Sequence, residues 1–272
     1  MNDRDWIKLA IVEFIGPFAL VFVGVGAIIQ TQGTNLVAIA LAHGLAIGLT
    51  ISAAGHISGG AFNPAVTIGL WAARRLDTLR AGVYIVAQLL GATAGAAMLT
   101  LVYPDLGDIG RNRLGVNLGV PGLGPDVSVG NALMMEIVLT FFLMFVIMGV
   151  AIDHRTGRAI SGLVIGLTIT MDILAGGVVS GAVMNPARAF GPSIIQGDWP
   201  NHWLYWVGPI VGAVIAALLY NDVLLSGISP GAPPSDRINP EHPREAPGDD
   251  DSVTRVSRTA SARSRRSRRR GR

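Results

Sequence analysis

Apolar and polar positions along this chain alternate on the scale of a bilayer rather than of a helix turn. Apolar stretches cover residues 7–29, 36–54, 82–102, 132–152, 159–177 and 204–225. Each approaches the roughly 20 residues that a helix needs to cross ~30 Å of hydrocarbon. Six spans are predicted. The first is too long for the core of a cleavable signal and carries Glu13 inside it, so it reads as a span. Two shorter apolar segments, residues 63–73 and 185–196, reach only about 17 Å as helices, roughly half a bilayer. Taken singly, each fits either a re-entrant half-helix or an amphipathic surface helix.

Composition agrees with lipid as the solvent. Half of the 272 residues are hydrophobic and only 14% are charged, against about 25% in a soluble domain. Mean hydropathy is +0.50. The 35 glycines suit closely packed membrane helices. There is no Cys, which excludes disulfides, thiolate metal sites and Cys nucleophiles.

Charge divides the chain at residue 227. Residues 1–226 hold 10 Lys/Arg against 12 Asp/Glu, and residues 227–272 hold 11 Arg against 6 Asp/Glu. The basic pI therefore belongs to the tail. That tail is Pro- and Asp-rich, then Ser/Arg-rich, and nearly free of apolar residues, so disorder is expected over 227–272. Arg4 and Lys8 flank the first span, Arg74, Arg75 and Arg80 precede the third, and Arg155 and Arg158 follow the fourth. With six spans these groups and the C-terminus share one face. That face is expected to be cytoplasmic, in a multi-pass protein of the cell membrane. The opposite face has a short turn at 31–35 and a loop at 104–130, where Arg111 and Arg113 stand against Asp105, Asp108 and Asp126.

A repeat carries the chemistry. Residues 1–103 resemble residues 131–226. Glu13-Phe14-Ile15 is echoed by Glu136-Ile137-Val138. Ser58-Gly59-Gly60-Ala61-Phe62-Asn63-Pro64-Ala65 is echoed by Ser180-Gly181-Ala182-Val183-Met184-Asn185-Pro186-Ala187. One Asn-Pro-Ala fits a turn. Two copies with matching flanks and a matching upstream Glu indicate a duplicated unit, linked by the loop at 104–130. Three spans separate the triplets, and an odd number of crossings inverts one half against the other. Inverted repeats place the functional site near the midplane.

Each triplet is also a helix start. Asn63 and Asn185 suit the N-cap, and Pro64 and Pro186 suit the first helical position. Two half-helices then meet N-terminus to N-terminus, with both positive dipole ends at one point. The asparagine NH₂ groups become donors to a lumen. The residues before each Asn must run non-helically, which at membrane depth is tolerated where backbone is buried or lines water. The carbonyls of Gly59, Gly60, Ala61 and Phe62, and of Gly181, Val183 and Met184, are the expected pore acceptors. Glu13 and Glu136 have two readings, a proton relay or a scaffold for these loops. The repeat favours scaffold.

On these motifs the chain resembles the aquaporin, or major intrinsic protein, family over about residues 6–225. Within it the chain is most similar to the water-channel branch. Ile173-Leu174-Ala175-Gly176-Gly177 and Met184-Asn185-Pro186-Ala187-Arg188 resemble plant tonoplast intrinsic proteins. The resemblance implies an all-α membrane fold of six transmembrane helices and two re-entrant half-helices, a homotetramer, and one pore per subunit. It implies a filter of Arg188 with His43, Ile173 and Ala182. Strict water channels usually have Phe on the second span and His on the fifth. Here His43 and Ile173 stand there, so a wider, more polar filter is expected, passing water and also ammonia, urea or hydrogen peroxide while excluding ions and protons. Glycerol facilitators usually have Asp after this Arg and a Pro-Leu pair in the last span; Ala189 and Tyr205-Trp206 depart from both. A glycerol channel is the alternative within the family.

Other readings are weaker. Asp172 neutralises Arg188 or His43, or faces a wet vestibule. A transporter needs a coupling-ion site, and few ionisable residues stand in the spans. An enzyme needs a cluster of His and carboxylates with metal or nucleophile spacing, and the apolar region has none. No cofactor and no metal are expected. The basic run at 263–272 is a solvated tail or a binder of anionic lipid at roughly 1 kcal/mol per charge. Phosphorylation of Ser257, Ser261, Ser264 or Ser267 would cut its charge. Nucleic acid is not an expected partner.

Overall fold

The computed structural model describes residues 3–103, 118–153, 155–156 and 158–226. The expected tail disorder, most of the 104–130 loop with Arg111, Arg113, Asp105 and Asp108, and the side chains of Arg4 and Arg158 lie outside the described residues. Among the described residues every regular element is helical.

The elements are α1 (Asp3–Thr31), α2 (Leu36–Ser58), α3 (Pro64–Ala72), α4 (Thr78–Val102), α5 (Val129–Ile147), α6 (Ser161–Ser180), α7 (Pro186–Gln196) and α8 (Leu204–Leu218). Wider π turns extend α5 over Met148–Ile152 and α8 over Leu219–Leu224. Six of these helices are long and apolar enough to cross a membrane, and α3 and α7 are the two short ones. The spans overrun the apolar stretches because polar caps lie beyond the apolar windows. Asn35 accepts from Ala38 N–H, Asp77 from Arg80 N–H, and Ser128 from Asn131 N–H.

Packing follows the repeat. α1 lies along α4 and α5 along α8, each half-helix leans on the last long helix of the opposite half, and α2 crosses α6 between the halves. The α2–α6 crossing is backbone on backbone. A Cβ on Gly48 would stand 2.9 Å from the Gly162 carbonyl, and one on Gly44 would strike Gly166 O and Thr170 Oγ1. Small residues permit this approach, where dispersion and close polar contact replace the hydrophobic drive that lipid abolishes. Outward positions stay apolar: Leu49, Leu101 and Val178 are 66, 76 and 68% exposed. A surface of that kind is stable against hydrocarbon, not water.

At one end of the molecule the α5–α6 connection is tied to α8. Asp153 takes the Arg155 guanidinium and the Tyr220 hydroxyl, which donates at 3.2 Å. The hydrogen bond from Arg155 holds the Asp153 carboxyl down at about 2. Arg75 Nε donates to Asn221 Oδ1 at 2.7 Å, tying the α3–α4 connection to the same helix end.

Candidate functional site

α3 and α7 begin at the two triplets. Asn63 Oδ1 accepts from Ala65 N–H at 2.9 Å, and Asn185 Oδ1 from Ala187 N–H at 3.0 Å and Arg188 N–H at 3.3 Å. Pro64 and Pro186 occupy the first helical positions. Each amide then reaches across the repeat. Asn63 Nδ2 donates to Met184 O at 2.8 Å, and Asn185 Nδ2 donates to Phe62 O at 3.0 Å. Half of each amide's donor capacity therefore joins the two half-helices. The other N–H of each remains for the lumen.

The loops before the asparagines are strained. Phe62 (φ 50°), Ala182 (φ 46°) and Met184 (φ 54°) are left-handed without being glycine, which costs on the order of 1 kcal/mol each. The two buried glutamates hold them there. Glu13 accepts from Ser58 Oγ, Ala61 N–H, Phe62 N–H and Gln88 Nε2. Glu136 accepts from Ser180 Oγ, Val183 N–H and Met184 N–H. Peptide N–H groups turned from the helix by αL backbone thus meet a carboxylate, in a medium with no water to meet them otherwise. Glu13 takes four donors and Glu136 three, nearly all from the segment before the asparagine, which is the geometry of a scaffold.

A narrow cavity of about 30 Å³ runs past both asparagines, room for about two waters. His43, Ile173, Ala182 and Arg188 all border it, as do Gly60, Ala61, Phe62, Val183 and Met184. Gly59 borders instead a wider vestibule of about 560 Å³ towards Arg75 and Tyr84. Gly59 (φ 99°) and Gly181 (φ 88°) are the left-handed C-caps of α2 and α6, so their role is to turn the chain out of the helix. The Phe62 and Met184 carbonyls already receive an asparagine N–H, leaving one lone pair each.

His43 and Arg188 are 3 and 5% exposed. His43 Nδ1 lies 2.8 Å from Ile39 O, which only accepts, so Nδ1 carries the proton. In that neutral ring Nε2 is an acceptor, 3.5 Å from Arg188 Nη2. Arg188 Nη1 donates to Gly119 O at 2.7 Å. The α4–α5 connection therefore folds back to brace Arg188, and Gly124 N–H bonds Val179 O at 2.9 Å in support. The sequence reading placed 104–130 only as a loop. No residue-type signal marks Gly119, because it acts through its backbone carbonyl.

The aliphatic wall of Ile51, Val66 and Ile165 carries no residue-type signal in the sequence, although the repeat contains it. Counting 122 residues, the asparagine spacing, pairs Ile165 with His43, Ile51 with Ile173, Gly60 with Ala182 and Val66 with Arg188. All four counterparts border the same cavity. The cavity lining thus has a polar set and a mainly aliphatic one at repeat-equivalent places. Asp172 is 1% exposed and bonds neither His43 nor Arg188; its Oδ2 has no partner. The expectation of a wet vestibule or a direct countercharge does not hold. One residue of helical rotation carries it from the pore wall at Ile173 into the protein interior.

Comparison with known proteins agrees with this geometry. The family model described as major intrinsic protein matches residues 1–220. Aquaporin TIP4-4 of Zea mays is 39% identical over 237 residues, covering 83% of this chain and 90% of its own length. Aquaporin NIP1-1 of Oryza sativa subsp. japonica is 40% identical over 220 residues, covering 79% and 74%. Among solved structures, the aquaglyceroporin from Plasmodium falciparum superposes with a TM-score of 0.73 at 28% identity, covering 80% of this chain and 97% of that one. The chain is a multi-pass membrane protein and belongs to the major intrinsic protein family of aquaporin channels.

Proposed function

We propose that this chain is a passive channel for water and for small neutral solutes such as ammonia, urea and hydrogen peroxide, and that it excludes ions and protons. The observation that carries the reading is the pair of crossed asparagines at the start of two opposed helices, set in an aliphatic tube. A water file meets donors at its centre from both sides and carbonyl acceptors beside them. Cations and hydronium meet two helix N-termini and the Arg188 charge. Solute range belongs to the filter. His43 Nε2 as an acceptor, Arg188 as a donor, and the modest Ile173 and Ala182 leave a wider and more polar opening than an aromatic filter does. The close relatives named as TIP-type aquaporins support the water reading.

Glycerol transport is the second reading, favoured by the likeness to the Plasmodium falciparum aquaglyceroporin. Ala189 and Tyr205-Trp206 weigh against it. The proposal extends to a homotetramer with one pore per chain, to cytoplasmic N- and C-termini in the cell membrane, and to two channel repeats within 1–226. The Arg/Ser-rich tail at 227–272 is proposed to associate with anionic lipid. No cofactor or enzymatic step enters the reading.

The test is stopped-flow permeability of proteoliposomes to water, ammonia, urea, hydrogen peroxide and glycerol, with proton leak followed by an internal dye. Water flux without proton leak is expected. Absence of water flux rejects the channel reading. Water flux with neither urea nor ammonia flux rejects the wider solute range, and glycerol flux above water flux selects the second reading.

A further inference from the structure

We propose that Gly24 on α1 sets how far the His43 imidazole reaches into the filter, and so the size limit for neutral solutes larger than water. The inference rests on the reading of His43 as a filter residue. Gly24 touches no solute and acts through His43, as a positioning residue.

A Cβ on Gly24 would stand 2.5 Å from His43 Cδ2 and Nε2, and 2.6 Å from Cε1. The ring therefore lies flat against the backbone of α1 with nothing between. Its other directions are already taken. Nδ1 is held at 2.8 Å by Ile39 O, and Arg188 Nη2 stands 3.5 Å from Nε2. The remaining free space is the lumen. A methyl group at position 24 must push the ring inward or break its bond to Ile39.

The repeat provides an internal control. The glutamate spacing of 123 residues pairs Gly24 with Ile147, as the asparagine spacing pairs His43 with Ile165. Ile147 and Ile165 both border the cavity. Where the second-span side chain is aliphatic, the first-span position carries a full side chain. Where it is an imidazole, the first-span position carries none. The two positions divide one piece of pore wall between them.

The experiment compares wild type, Gly24→Ala, His43→Ala and the double variant in proteoliposomes, reading water and urea permeation. Gly24→Ala should lower permeation, urea by about tenfold and water by about twofold, because pore diameter bears hardest on the larger solute. With Ala at 43 the same change should have no effect, a coupling that a merely structural role does not produce. Gly82→Ala on α4, where a Cβ meets nothing within 4 Å, should leave both fluxes at wild-type values. If Gly24→Ala yields no assembled protein, the double variant should restore assembly, since it removes the ring that collides. A loss of flux that persists with Ala at 43, no loss at all, or a double variant that also fails to assemble overturns the proposal. If His43→Ala leaves urea and water permeation unchanged, the filter reading itself falls, which is a separate outcome.

Discussion

Glu13 and Glu136 stand at equivalent places in the two repeats, yet their carboxylates are served differently. Glu13 Oε2 receives Phe62 N–H and Gln88 Nε2, both at 2.8 Å. Glu136 Oε2 receives only Met184 N–H, at 2.7 Å. On α4 and α8 the repeat spacing is 121 residues, pairing Tyr84 with Tyr205 and Gly91 with Gly212, which puts Pro209 where Gln88 stands; the asparagine spacing of 122 puts Ala189 opposite Thr67, so no side chain bridges there. The contrast recurs. The Tyr84 hydroxyl donates to Ser58 O, whereas Tyr205 Oη is buried without a partner. Thr50 bonds its own helix at Ala46 O, whereas Asp172, its counterpart, has Oδ2 unpaired. The less satisfied half carries Arg188 and Ala182. Breaches of local consistency gather where function is built, as the trade between a saturated scaffold and a chemically specific lumen requires.

The largest test of this comparison removes the carboxylates. Each deletion leaves buried N–H groups unmatched at about 1–3 kcal/mol apiece. Glu13→Ala and Glu136→Ala should both lower the thermal midpoint of the detergent-solubilised protein sharply, Glu13→Ala the more because it strands four donors against three. Gln88→Leu should bring the first half down to the level of the second. Equal midpoints for the two Glu variants would contradict the saturation argument.

Next comes the Arg188 charge, in its proposed filter role. Arg188→Val copies Val66, its repeat counterpart, into the polar set of lining residues. Cation leak should rise about a hundredfold, equivalent to a barrier lower by about 3 kcal/mol, with water flux kept. A leak unchanged from wild type places the ion barrier at the half-helix N-termini alone.

A smaller effect is expected of Ala182→Gly, which copies Gly60. Relief of the left-handed strain should raise stability by about 1 kcal/mol, while loss of the methyl widens the filter and raises urea permeation. The smallest effect separates the two tyrosines. Tyr84→Phe should cost about 1 kcal/mol for its hydrogen bond. Tyr205→Phe should be neutral or slightly stabilising, since its hydroxyl satisfies nothing. A cost at Tyr205 equal to that at Tyr84 would show that its hydroxyl is satisfied in the membrane after all.

Much of this architecture was legible because it is periodic. Span length is set by bilayer thickness, and Asn-Pro at a helix start carries its cap with it. The duplicated Glu and the duplicated triplet gave the inverted plan without any contact information. The place of Asp172 stays open in the sequence because adjacent helical residues face about 100° apart, and its position beside Ile173 says nothing about which of them meets the lumen. The brace from Gly119 to Arg188 was invisible because any residue has a carbonyl.

The sequence by itself determined the six spans, the two half-helices, their capping and the pairing of each Asn with an upstream Glu. All of these follow from local rules or from a repeat visible along the chain. Only the tertiary structure decided that each asparagine bonds the opposite half's backbone, that Nε2 of His43 faces Arg188, and that Gly24 yields its side-chain volume to the His43 ring. These depend on approaches of a few ångströms between segments tens of residues apart, and close packing makes them matter.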